Sequence, residues 1–175
     1  MRRVFQVDDV ILYGGNGVCR VDSITKREFG GKEMEYYVLQ PVYSNGSFIY
    51  VPADNEKLTG KMRLPMSQDE VRGLIHEMAH DEVPWIENDN ERKEACRSIL
   101  ATGEPHAVTR TLQALYRHQE EQKQKGKKLH QADERFFHEA EKLLYDELAL
   151  VLHIQPDQVQ PFLRERIEEE LCQTA

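Results

Sequence analysis

His76-Glu77-Met78-Ala79-His80 is the stretch of this 175-residue chain whose residue types and spacing are best suited to chemistry. On a helix, histidines four apart lie one turn apart on the same side. There two imidazoles can hold zinc while the glutamate after the first acts as general base. The extended form of the motif, with a glycine and a third histidine, fails because Val83 and Ile86 stand in those places. A third ligand would have to come from a distance, Glu104 being one candidate. The plain alternative is a pair of polar residues on the exposed face of a short helix. On that reading no catalytic residue, metal ligand or cofactor is expected.

Other constellations are weaker as catalysts. Gly14-Gly15-Asn16-Gly17 is glycine-rich but lies between two strand-like runs, without the helix and lysine of a phosphate loop, so a hairpin is expected. His106, His118, His130, His138 and His153 are scattered among charged residues and read as solvated helix positions. Two features point to binding instead. Trp85, the single tryptophan, follows Pro84 in a connection and either caps a core or projects as an apolar wedge. Basic residues then gather in an otherwise acidic chain: Arg92, Lys93 and Arg97 just beyond the tryptophan, and Lys123, Lys125, Lys127 and Lys128 around Gly126. Beside an apolar wedge, such residues can hold a phosphate backbone while the indole meets bases.

The net charge of −8 sets limits on this idea. Non-specific affinity for nucleic acid comes from neutralising phosphates and releasing counterions, so a chain this acidic is expected to bind free DNA weakly. With 39% apolar residues and no apolar run near eighteen, no membrane span is expected. The first residues lack the apolar stretch of a secretory signal, which leaves the cytoplasm as the expected location. Cys19, Cys96 and Cys172 are odd in number and far apart, predicting idle thiols rather than a disulfide framework.

The elements that position these residues change character near Pro65. From Phe5 to Pro52, short β-rich runs are punctuated by Gly14–Gly17, Gly30-Gly31 and Asn45-Gly46, the last two dipeptides reading as tight hairpin turns. Four or five antiparallel strands of about four to seven residues suggest a small SH3- or Tudor-like β-barrel over residues 1–65. Residues 66–175 read as an all-α module of about five helices, making the chain α+β, with Trp85 near the junction. The spacing predicts a first helix capped at Ser67 and stopped by Pro84. Others are expected over about Asn88–Ala101, Pro105–Gln124, Ala132–His153 and Pro156–Leu171, the last fraying at Glu168-Glu169-Glu170.

Fragments in order along nearly the whole chain resemble the CarD/CdnL family of bacterial RNA polymerase-binding transcription factors. They include Phe5-Gln6-Val7-Asp8-Asp9-Val10-Ile11-Leu12-Tyr13, Tyr36-Tyr37-Val38-Leu39, Trp85-Ile86-Glu87-Asn88, Glu91-Arg92-Lys93-Glu94 and Asp133-Glu134-Arg135-Phe136. The strongest runs from Glu141 to Ala149. The resemblance implies that residues 1–65 form a polymerase-interacting Tudor-like domain, shared with the transcription-repair coupling factor and docking on the polymerase β subunit. It places Arg27 at the polymerase surface and Tyr50 at a strand position where some members carry a second basic contact. It further implies that residues 66–175 bind DNA, Trp85 being the wedge in the minor groove at the upstream edge of the transcription bubble, flanked by Arg92, Lys93 and Arg97 against phosphates. A monomer is expected, with exchange of β modules into a dimer left open. Two other functions are compatible with the residues alone: a zinc hydrolase built on His76, Glu77 and His80, and an adaptor whose helices bind another protein.

Overall fold

The computed structural model describes residues 4–175. The chain divides into two compact units, Met1–Pro65 and Met66–Ala175. The first holds β1 (Val10–Tyr13), β2 (Val18–Phe29), β3 (Lys32–Pro41), β4 (Ile49–Pro52), a single-turn helix α1 (Glu56–Thr59) and β5 (Met62–Arg63). All ladders are antiparallel and the order is β4-β3-β2-β1-β5, a five-stranded sheet with β4 and β5 at its ends. No β4–β5 ladder occurs among the described residues, so the sheet pairing by itself stops short of a closed barrel.

Two strands are longer than the alternation suggested. β2 and β3 pair from Cys19↔Pro41 to Phe29↔Lys32, with a register shift between Val21 and Ser23, and turn at Gly30-Gly31, where φ values of +60° and +79° favour glycine. The period-2 pattern fades towards Phe29 because that end of the ribbon is exposed on both faces. Asn45-Gly46 is not a tight hairpin turn: neither residue has positive φ, and a seven-residue connection joins β3 to β4. Glycine suits the position for a different reason, since a Cβ at Gly46 would crowd the Pro41 ring at 3.1 Å. Gly14–Asn16 forms a 3-10 turn rather than a plain hairpin, closed by the Gly17 amide on the Gly14 carbonyl. One sheet face carries the core of Ile11, Tyr13, Cys19, Val21, Tyr37, Leu39, Val51 and Met62, with Phe5 edge-on to Tyr37.

The second unit holds five helices, α2 (Gln68–His80), α3 (Asp89–Thr102), α4 (Pro105–Gln124), α5 (Gln131–Leu152) and α6 (Pro156–Gln173). α5 is the hub and touches the other four. Its apolar face buries Phe136, Phe137, Ala140, Leu144 and Leu148, against Leu74, Leu115, Val159 and Leu163 from its neighbours. Local chemistry fixes the helix starts. Ser67 and Glu70 form a reciprocal capping box, Asn88 Oδ1 accepts the amides of Asn90 and Glu91, and Glu104 accepts those of His106 and Ala107 ahead of Pro105. Glu104 is therefore occupied as a helix cap and is not a zinc ligand. α2 ends at His80, four residues before Pro84, and α6 continues to Gln173. Trp85 consequently sits in the α2–α3 connector, inside the helical unit rather than at the boundary between units.

Buried charge pins this unit as well. Glu147, 2% exposed on α5, accepts the Met66 amide at 3.0 Å, fixing the chain just before the capping box. Asp146 beside it is held by Lys142 at 2.7 Å, and burial pushes its carboxyl above the ordinary value.

Candidate functional site

The α2–α3 connector has no secondary structure of its own, so what holds Trp85 must come from side chains. Arg92, in the first turn of α3, supplies most of it. Its guanidinium meets Asp133 at the start of α5 through two bonds of 2.9 Å and Asp89 at 2.7 Å, and donates to the Ile86 carbonyl at 2.9 Å. The same guanidinium carbon lies 4.5 Å from the centroid of the Trp85 ring. One side chain thus joins the connector, α3, α5 and the indole. Arg92 and Asp133 are 5% and 1% exposed. The Asp133 bonds, more than the Asp89 contact, hold the guanidinium proton above its usual affinity, and Arg92 in turn depresses the Asp89 carboxyl.

These contacts correct the expectation that Arg92 lies against phosphate. Its donors are occupied, and exposing it would strand Asp133 in the core. Lys93 is half-buried at the margin of the buried stripe of Arg92, Cys96 and Leu100, Arg97 is exposed one turn further along, and no ion pair holds either among the described residues. They are accessible to phosphate in a way that Arg92 is not.

His118 is not the solvated helix residue that its charged surroundings suggest. Its imidazole instead stacks on Trp85, centroids 3.8 Å apart and planes 8° apart. Nothing in the sequence marks this partnership, because Trp85 in the connector and His118 on α4 lie 33 positions apart. Trp85 is half-buried, neither a core residue nor a freely projecting one. Below it an apolar cleft of about 280 Å³ runs between the connector, α3 and α4, lined among others by Val83, Ile86, Cys96, Ile99 and Leu115. Burial raises the Cys96 thiol above its ordinary pKa, in keeping with an idle thiol.

α4 also links the indole to the lysine-rich turn. From His118 to Lys125 is seven residues, or about 10 Å of helix. Gly126, at φ +69°, ends α4, and the Lys127 amide closes the turn on the Gln122 carbonyl at 2.8 Å. Lys123, Lys125, Lys127 and Lys128 are all exposed, with Lys123 paired to Glu120.

In the sheet unit the register puts Arg27, Phe29, Met34, Tyr36 and Tyr50 on the face opposite the core. Arg27 donates to the Tyr50 hydroxyl at 3.2 Å and lies 4.5 Å from its ring centroid, while Phe29 and Tyr36 are 6.3 Å apart. An exposed cation is thus set among aromatic rings beside edge strand β4, oriented by the Tyr50 hydroxyl and ring.

The histidine motif separates into two arrangements. Glu77 Oε2 takes the Nδ1 of His106 on α4 at 2.8 Å, and this bond holds the imidazole pKa above its usual value. Its carboxylate therefore has another partner instead of being poised as a general base. His76 and His80, both exposed, share Glu170 of α6, with His76 Nδ1 at 2.5 Å and His80 Nε2 at 3.6 Å from one carboxylate oxygen.

The fold and these surfaces define a two-part binding protein, a sheet unit with an exposed aromatic and cationic face and a helical unit with a braced indole. The family model described as CarD-like/TRCF RID domain matches residues 5–64, and that described as CarD, C-terminal domain matches residues 73–164. The chain belongs to the CarD/CdnL family, whose members are non-catalytic regulators that bind RNA polymerase in transcription. Among the described residues, no helix is long and apolar enough to cross a membrane.

Proposed function

We propose that this chain docks on the polymerase β subunit through the outer face of a Tudor-like sheet module around Arg27 and Tyr50. Trp85 then acts as a sequence-nonspecific wedge at the upstream edge of the transcription bubble. The observation that carries the reading is the bracing of Trp85. A half-buried indole in an irregular connector is held by a stacked imidazole and by a guanidinium bonded to two carboxylates. An aromatic positioned in advance loses little conformational freedom on binding. Lys93 and Arg97 are the flanking phosphate contacts and Arg92 the residue that positions the indole, with the lysines around Gly126 adding charge along α4.

Wedging an indole beside a base step costs a few kcal/mol in intact duplex and less where polymerase has already separated the strands. The wedge therefore favours open promoter DNA. A preference of about 1.4 kcal/mol for the open over the closed complex shifts their ratio roughly tenfold. Trp85→Ala tests this directly in the full chain. Polymerase association should be retained while the lifetime of the open promoter complex falls. An unchanged lifetime would remove the wedge role, and crosslinks from position 85 that reach only protein would favour an adaptor.

A further inference from the structure

We propose that His76, His80 and Glu170 form a binding site for one divalent transition-metal ion, of the zinc class, which clasps the end of α6 to the end of α2. The donor atoms of the three side chains all lie within 4.8 Å of one another, and the two imidazole rings are 4.5 Å apart. Four-residue helical spacing accounts for the histidine pair. The oxygen donor comes from 90 residues further along, so only the tertiary fold supplies it. Two imidazole nitrogens and one carboxylate oxygen suit zinc, cobalt or nickel far better than calcium or magnesium, which prefer oxygen alone. The side chains are partly exposed, giving an ion a path of entry and leaving room for water as a fourth ligand.

The surrounding charge favours a cation independently of the three ligands. His80 is the last residue of α2, and Glu170 lies in the last turn of α6, so the negative ends of both helix dipoles converge here. α6 carries Glu168-Glu169-Glu170 close to its C-terminal end and no basic residue in its last turn, an arrangement its own dipole disfavours. Glu169 is paired with Arg166 and Arg72 with Asp69, which leaves the Glu170 carboxylate for the histidines. A dication would offset the excess negative charge and tie together two helices whose polar link at this end is the pairing of His76 and His80 with Glu170. The site is not hydrolytic, because Glu77 is turned to His106 on α4. It is a fastening for the C-terminal helix, separate from the surfaces assigned to polymerase and DNA.

Full-length protein without an affinity tag, titrated with ZnCl₂ against a chromogenic chelator, should take up about one equivalent, and CoCl₂ should give the visible absorption of a low-symmetry N/O site. His80→Ala and Glu170→Gln should each weaken zinc binding by more than roughly tenfold. His138→Ala, an exposed histidine elsewhere on α5, should leave it unchanged. Zinc should also slow proteolysis within α6 in the parent chain and not in His80→Ala, with circular dichroism confirming that the variants are folded. No zinc uptake, or uptake undiminished in both ligand variants, would overturn the site. Zinc binding with unchanged proteolysis of α6 would overturn the clasp.

Discussion

Arg92 shows how one residue can look like a binding group and act as a structural one. A cation just after a lone tryptophan invites a phosphate, yet this cation is buried on Asp133 and Asp89 and faces the indole. Removing one member of a buried pair leaves the other desolvated and unpaired, which typically costs about 3–5 kcal/mol. Arg92→Met is therefore expected to lower the urea midpoint strongly and to shift the emission of Trp85, whereas Arg97→Ala should stay within about 0.5 kcal/mol of the parent. Equilibrium unfolding followed by the fluorescence of the single tryptophan measures both. Equal stability of the two variants would return Arg92 to the surface.

At the scale of elements, α2 and α4 are tied by Glu77 and His106, and this tie carries a pH dependence of definite sign. The bond to Glu77 raises the His106 pKa, so the folded state binds the proton more tightly than the unfolded chain. The resulting stability is fully present below the ordinary histidine value of about 6.5 and is lost as pH rises through the higher folded value. His106→Gln should accordingly cost more at about pH 6 than at about pH 8.5, where the two chains converge. The effect is small, because the imidazole is half exposed. Urea midpoints of the two chains at both pH values check it, and a gap that widens with alkalinity would contradict the assignment.

The whole molecule carries a net charge of −8, which does not suit autonomous attachment to DNA. Under the proposed function, tethering resolves the conflict. A module held at the promoter through a second binding unit experiences an effective concentration on the order of millimolar, so a few cations beside an indole suffice. Isolated protein should bind free duplex DNA poorly at about 0.15 M salt and associate clearly with polymerase–promoter complexes. Gel-shift titrations with and without polymerase distinguish these cases, and equally tight binding to bare DNA would contradict the division of labour.

Much of this architecture was legible in local sequence, because its causes are local. Ser67, Asn88 and Pro105 mark helix starts through caps and a fixed φ, and the apolar spacing of α5 announces the hub of the helical unit. Gly30-Gly31 marks its turn because only glycine takes those dihedrals freely. What the residues could not disclose were partnerships across the fold: Trp85 with His118, Arg92 with Asp133 and His76 with Glu170, separated by 33, 41 and 94 positions. Caps, turns and periodicity act through bonded neighbours and leave a pattern within a few residues. Side-chain pairing between helices depends on how those helices pack, so only the tertiary structure decided that the arginine braces the indole and that the two histidines gain a carboxylate.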